Sequence, residues 1–492
     1  MGIIFRQSFK NTITTFVGFT IGAVNTLFLY THFLGEDFYG LTAFLLSTAN
    51  IMMPVMAFGI QSTLIRFYSE HKTEEEKSVF LNFILILPLI IIIPVFVILF
   101  GFYEPIASSL SRENPIIFEY AWVIPLVGLF MGYFEIFYAW VKVHLKSVYG
   151  NFIKEVLLRI IISIFLFAVY FEWITKPQFV YSLVFIYMFL MFLMAVAAFK
   201  IRKPQFHLKF PIRKKEIIGY SAFIIFSSGI AVLLLDIDKF MIGQYIPLRE
   251  AAYYSVAIFI ALTISVPMRA MHQIVHPITA DFMNSGKYGE LNDLYKKTSI
   301  TLQVIGGFIM LGILVNIHQI YALLPEKYSG GIGVVFIISV SKFLDLMLGN
   351  NNSIIFNSKY YKTILALGLG IVFLAVGLNI FLIPKYGIEG AAWSTLISIG
   401  LYSFAKLMFV VFKMKLFPFT KNTLLSLGII LISFILFYFW ELSFHPFINI
   451  VLKSTLLSVF YLIFNYILKI SDDINMALSN VLNLFKSLLN SK

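Results

Sequence analysis

The sequence predicts an all-α polytopic membrane protein with about fourteen transmembrane helices. They form two pseudosymmetric six-helix lobes followed by two C-terminal helices. Three observations lead there. Of the 492 residues, 60% are hydrophobic and only 13% are charged, with a mean hydropathy of +0.89; a soluble domain has nearer a quarter of its residues charged. Apolar stretches of about 18 to 25 residues recur along the chain, each long enough to cross a hydrocarbon core roughly 30 Å thick. Lys and Arg gather in alternate loops, as the positive-inside rule requires of a multi-spanning chain.

Dividing the apolar runs at charged, Pro and Gly clusters gives spans at 10–32, 40–65, 79–102, 116–140, 151–172, 178–199, 217–243, 252–278, 298–324, 332–356, 361–384, 388–411, 422–441 and 447–468. The first run is too long for a signal-peptide core, and no small-residue cleavage site follows it, so it is expected to remain as a membrane helix. The N-terminus and every second loop hold Arg6, Arg66, Lys72, Lys77, Lys142, Lys146, the run from Lys200 to Lys215, Lys287, Lys296, Lys297, Lys359, Lys413, Lys415 and Lys421. The intervening loops hold Arg112, Lys176, Arg249, Lys327 and Lys385. A missed or invented helix would reverse this bias partway along the chain, and it does not reverse. Both termini are therefore expected to be cytoplasmic, and the net charge of +12 belongs to topology, with no nucleic-acid partner implied.

The densest basic run, KIRKPQFHLKFPIRKKE (200–216), falls between spans six and seven, where two lobes need a linker. It reads as an anchor on anionic lipid headgroups. This divides the chain into a first lobe (1–199), a linker (200–216), a second lobe (217–411), spans thirteen and fourteen (412–470) and a terminal segment (471–492). FLGEDFYGLTAF (33–44) has a counterpart in IPLREAAYYSVAIF (246–259), an offset of about 213 residues that sets Asn25 opposite Asp238. Duplicated halves of this kind are typical of secondary transporters. The segment 471–490 places Ile474, Leu478, Val481, Leu482, Phe485, Leu488 and Leu489 on one stripe, the pattern of an interfacial amphipathic helix. The absence of Cys removes thiolate nucleophiles and cysteine metal sites. No metal, phosphate-loop or nucleophile constellation stands out, and the loops are too short for a catalytic domain, so no enzyme activity and no resident cofactor are expected.

Ionisable residues at bilayer depth cost several kcal/mol, so each is a candidate site residue unless it lies near a helix end. In LLLDIDKFMIG (233–243), Asp236 and Lys239 can pair at i, i+3 while Asp238 points elsewhere. The group is either an outer-end anchor or a coupling site for a cation or proton. In span eight, Arg269, His272 and His276 follow i, i+3, i+7 and share a face in the inner half of the membrane, below a kink at Pro267. They suit the wall of a wet cavity. In span ten, Lys342, Asp345, Gly349 and Asn352 form a second stripe, readable as a helix-gluing Lys–Asp pair or as a cationic cavity wall. Arg159, Lys406 and Lys453 lie within about two turns of predicted helix ends and read as snorkelling anchors. Arg66 fits either an anchor or an entrance contact.

The chain resembles the polysaccharide exporters and lipid-linked oligosaccharide flippases, O-antigen flippases among them, of the multidrug/oligosaccharidyl-lipid/polysaccharide (MOP) superfamily. That superfamily also contains the lipid II flippases and the multidrug and toxin extruders. The resemblance covers the whole chain and is carried most specifically by LIPKYGIEGAAWSTLIS (382–398), with FLGEDFYGLTAF and LDIDKFMIGQY (235–245) in support. It implies a V-shaped pair of six-helix bundles around a central cavity and transport by alternating access in a bacterial inner membrane. The implied substrate is a polyprenyl-diphosphate-linked glycan: an O-antigen, capsule or exopolysaccharide repeat. By the same resemblance, Arg269 and Lys342 would contact the diphosphate, with His272 and His276 assisting and Asn352 and Arg66 lining the path. Asp236, Asp238, Lys239, Asp345 and Asn25 would serve the cavity or a coupling Na+ or H+. Other polysaccharide-assembly proteins are implied as partners. A cation-coupled multidrug extruder is the alternative, and a membrane-embedded polymerase or ligase is disfavoured by the short outer loops.

Overall fold

The structure, a computed structural model, describes residues 3–203, 209–440 and 443–490. The helices that carry the argument are α1 (Lys10–Leu34), α2 (Glu36–Met56), α3 (Glu74–Gly101), α4 (Val123–Val143), α5 (147–170), α6 (Lys176–Ile201), α7 (Lys214–Tyr245), α8 (Leu248–Asn284), α9 (Tyr288–Val315), α10 (Glu326–Leu346), α11 (366–386), α12 (388–414), α13 (Lys421–Tyr438), α14 (Pro446–Ile467) and α15 (Asp472–Asn490). Among the described residues, eleven continuous helices are long and apolar enough to cross a membrane. The longest of them, Ala366–Met414, is a hairpin that contains both α11 and α12. It turns at Gly387, whose φ of 58° is open to glycine at little cost. The Ser394 hydroxyl donates to the Ala375 carbonyl at 3.0 Å, although 19 residues of straight helix would separate them by about 28 Å. With α5 and α7, the fourteen expected spans are all helical, and the protein is a multi-pass membrane protein.

Local signals set the helix ends. Thr73 and Glu76 form a reciprocal capping box at the start of α3, and Thr175 and Gln178 form one at the start of α6, where Pro177 occupies the first turn. α1 widens into i→i+5 turns from Asn25 to Leu34 and stops at Gly35, φ 75°. α8 contains a tighter turn at Thr263–Ser265 immediately before Pro267, so its inner part starts afresh at Val266, at the position expected for the kink. α9 begins at Tyr288, ten residues earlier than the apolar run, because polar residues such as Glu290, Asn292 and Lys296 continue the helix beyond its apolar part.

The chain groups into two compact units: 1–255 with 376–391, and 256–375 with 392–492. In the first, α2 packs between α4 and α7. Glycine makes the closest approach possible: a Cβ at Gly243 of α7 would strike the Phe44 ring, and one at Gly40 would strike the Leu248 carbonyl. The buried core beneath includes Phe67, Phe80, Ile136 and Trp140. In the second unit, α9 packs on α10 and α13, and α13 packs on α14. Leu291, Tyr295, Ile354 and Val410 form a smaller core at one end.

The basic linker, expected on anionic headgroups, makes ion pairs within the protein: Arg202 pairs with Glu74 at 2.7 Å, Lys209 with Glu75 at 2.7 Å, and Arg213 with Glu70 at 2.5 Å. Glu70 and the acidic first turn of α3 supply counter-charges that the alternating-loop count leaves out. Part of the linker, 204–208, lies outside the described residues, as do the side chains of Val481, Leu482, Phe485, Leu488 and Leu489 in the expected amphipathic stripe. One sequence expectation is corrected: the snorkelling-anchor reading fails for Lys406 and Lys453, which are each 1% exposed. Lys453 donates to the Val315 carbonyl at 2.9 Å, placing its charge on the C-terminus of α9, where a cation is favoured. Arg159 is half-buried and pairs with Glu155 at 2.7 Å.

Candidate functional site

The second unit holds the denser group of expected site residues. Arg269, His272 and His276 all lie on the part of α8 that follows the Pro267 break. Arg269 and His276 are exposed and His272 is half-buried. This part of α8 packs against the short helix Asn351–Phe356 that follows α10, and the tight turn before it packs against α10 itself. His272 Nε2 lies 3.4 Å from the Gly349 carbonyl, and His276 Nδ1 lies 2.9 Å from the Asn357 amide nitrogen. The histidine face thus meets the end of α10, and neither ring is packed in apolar core.

The expected stripe Lys342, Asp345, Gly349, Asn352 is not one face of one helix. α10 ends at Leu346, the chain turns through Met347–Asn350, and Asn352 belongs to the next short helix. Gly349 has φ +54°, and a Cβ there would sit 2.7 Å from the Ser299 amide nitrogen, so the break brings this turn directly onto α9. Four side chains tie the broken segment together. Ser299 donates to the Met347 carbonyl at 2.6 Å, the Asn350 amide to Thr279 at 2.9 Å, Thr298 to the Asn350 side-chain oxygen at 3.1 Å, and the Asn351 amide to Tyr295 at 2.6 Å.

Lys406 of α12 restores what the break separates. Its ammonium donates to Asp345 at 3.1 Å and to the Asn352 side-chain oxygen at 3.1 Å, and it lies 4.3 Å from the centre of the Tyr402 ring. Ser403 also donates to Asp345, at 3.2 Å. Lys342 is half-buried within electrostatic reach of the same carboxylate, as is His272. Lys342, Asp345, Asn352 and His272 are therefore brought together around Lys406, whose place near a helix end suggests only an anchor. The signal for it was its register with Tyr402 and Ser403 one turn earlier, polar groups in an otherwise apolar span. Three cations, Arg269, Lys342 and Lys406, share these packed elements with the carboxylate of Asp345.

The expected residues of the first unit fall into separate places. Asp236 and Lys239 approach to 3.4 Å within α7, the local pair their spacing implies. Asp238 points away from them and is 2% exposed; one oxygen accepts from Tyr254 at 2.5 Å and the other from the Asn379 amide at 2.8 Å. The Asn379 side-chain oxygen is buried and receives no hydrogen bond. Asn25 is buried in α1, donating to the Arg159 carbonyl at 2.9 Å and accepting from Ser163 at 2.6 Å, so its contacts are with α5. Arg66 is exposed beyond α2, with its guanidinium 4.4 Å from the centre of the Tyr220 ring. Among the described residues there is no group of three or more His, Cys, Asp and Glu arranged to hold a metal.

A family model described as polysaccharide biosynthesis protein matches residues 5–283, more than half of the chain. No curated protein matches. Among solved structures, the lipid II flippase MurJ in an inward closed conformation aligns over 93% of this chain and 98% of its own, with TM-score 0.73 at 17% identity. A MOP superfamily transporter from Pyrococcus furiosus aligns over 84% of this chain and 95% of its own, with TM-score 0.57 at 13% identity. An outward-facing multidrug resistance MATE transporter of the same superfamily aligns over 84% of this chain and 96% of its own, with TM-score 0.57 at 13% identity. The fold is that shared by MurJ and the MOP superfamily transporters.

Proposed function

The chain belongs to the polysaccharide biosynthesis protein family, and from that premise we propose that it is a flippase: it moves a polyprenyl-diphosphate-linked oligosaccharide from the inner to the outer leaflet of a bacterial cytoplasmic membrane by alternating access. The observation that supports this most is the charge of the packed region around α8, α10 and α12. Three cations stand there against one carboxylate, at a depth where each charge costs several kcal/mol. Such an excess suits an anionic ligand. A diphosphate carries about two negative charges, and an inside-negative potential favours its outward passage by about 2.3 kcal/mol per charge per 100 mV. Arg269 and Lys342 are the diphosphate contacts in this reading. His272, His276 and Asn352 border them, and Arg66 is the entrance contact at the cytoplasmic end of α2.

Coupling to Na+ or H+ is assigned to Asp238, with Asp236 and Lys239 beside it on α7; Asn25, held by α5, and Asp345, held by Lys406, are separate candidates. A buried carboxylate beside an amide oxygen without a hydrogen bond offers oxygen ligands to a cation, or a place for a proton. The exposed Lys200, Lys203 and Lys215 of the linker remain suited to anionic headgroups at the cytoplasmic face, and both termini lie on that side. The likeness to MATE transporters is one of fold, and a cationic drug would meet repulsion at the three-cation region.

The test is reconstitution in liposomes with fluorescent polyprenyl-diphosphate sugars, measuring access to a reagent added outside. Transfer that requires the protein is expected. Absence of transfer, together with efflux of cationic drugs from cells, would replace the flippase reading with the extruder.

A further inference from the structure

The first unit contains a cavity of about 260 Å³ that the diphosphate reading does not use. It opens among α2, α4, α5 and α6 and is lined by Asn50, Glu135, Lys154, Glu155, Arg159 and Tyr187, with apolar side chains between them. Two ion pairs define it: Lys154 with Glu135 at 2.5 Å, and Arg159 with Glu155 at 2.7 Å. The four charged side chains are 47%, 15%, 28% and 24% exposed in that order, neither packed core nor fully solvated. Arg159, on the cavity wall, lies along small residues of α1. A Cβ at Gly18 would lie 2.7 Å from the Arg159 guanidinium, and one at Gly22 2.8 Å from it, so only glycine lets the arginine lie along α1.

The balance of charge selects the ligand. With each acid matched by a base, a diphosphate would meet two carboxylates and a coupling cation would meet two basic groups. Neither gains. A neutral, hydroxyl-rich ligand does gain, because the site offers charged donors and acceptors alternately, an amide that does both, and the Tyr187 ring beside them. Glu135 lies eight residues before the end of α4 and Lys154 seven residues into α5, a depth of roughly 10–12 Å. On the charge-derived topology, that end is the cytoplasmic one.

We propose that this cavity is a saccharide subsite that receives the sugar carried on the lipid diphosphate. The inference rests on the flippase reading and gives its recognition step a second location. The chain has no Cys, so Met131→Cys at the cavity wall is a unique probe in the full-length protein. Its modification by a small methanethiosulfonate is followed in membranes with added N-acetylglucosaminyl polyprenyl diphosphate, or with polyprenyl diphosphate alone. The glycosylated lipid is expected to slow modification about tenfold at roughly ten times its dissociation constant, while the bare lipid diphosphate leaves it unchanged. Glu155→Gln should abolish that protection, and Met53→Cys, on the same wall, repeats the measurement if the first variant fails to fold. Equal protection by both lipids, or protection by neither while the wild type transfers the glycosylated lipid, overturns the subsite and leaves the flippase reading standing. Protection without transfer in the wild type overturns the flippase reading instead.

Discussion

At the scale of single residues, Lys406 shows how depth misleads. Counted from the end of its apolar run it is an anchor, but in the fold it is the partner of Asp345 and one of the largest fully buried side chains. The sequence displays the cost of a membrane charge and not the partner that offsets it, because Asp345 lies 61 residues away on another helix. Removing the base alone strands the acid, so Lys406→Met is expected to destabilise the protein by about 3 kcal/mol, seen as a lower melting temperature in detergent. The double variant with Asp345→Asn should recover most of that loss. If the double variant is no better than the single one, the pair is not what stabilises this region. Gly18 was not singled out at all, since nothing in a run of apolar residues says that an arginine will lie across it. Gly18→Val should disturb the contact between α1 and α5 and lower the melting temperature; an unchanged value would remove the steric account.

At the scale of elements, the break in α10 was invisible because Gly349 and three consecutive asparagines fit a helical stripe as well as a turn. The positive φ decides it. Gly349→Ala should cost on the order of 2 kcal/mol or more, combining left-handed backbone strain with a contact on α9, and should reduce transport through the displaced Asn352; wild-type stability in that variant would contradict the turn. The linker is a second case, since the positive-inside count sees its cations but not the acids facing them. The Lys77 ammonium and the Arg202 guanidinium hold Glu74 below the usual carboxylate range, and the backbone amides of Thr73 and Lys72 do the same for Glu76. Depressed acids stabilise fully above the ordinary Glu value of about 4.3 and lose that contribution as pH falls through their lower folded values. Spin labels at Lys72→Cys and Lys203→Cys should therefore report a narrow distance distribution at neutral pH that broadens below about pH 4 and in high salt. A distribution that does not respond to acid or salt would show that the ion pairs do not hold the linker.

At the scale of the whole molecule, most of the architecture was legible. Hydropathy located the spans; their ends moved, as where α9 reaches back to Tyr288, and the tenth broke after Leu346. The packing of the spans was not legible. α7 groups with the N-terminal helices, meeting Phe44 of α2 at Gly243, and such close approaches leave no periodic trace. The same holds for the candidate site, where Arg269, Lys342, His272, His276 and Asn352 could be named from their depth and spacing while the side chain that joins several of them could not. The most direct test of the central claim is the initial rate at which liposomes carrying Arg269→Gln/Lys342→Gln transfer fluorescent polyprenyl-diphosphate sugar. Loss of two charge-assisted contacts, each about 1.5–3 kcal/mol, predicts a fall of at least tenfold at equal protein incorporation. A rate equal to that of the wild type would contradict a cationic path for the diphosphate.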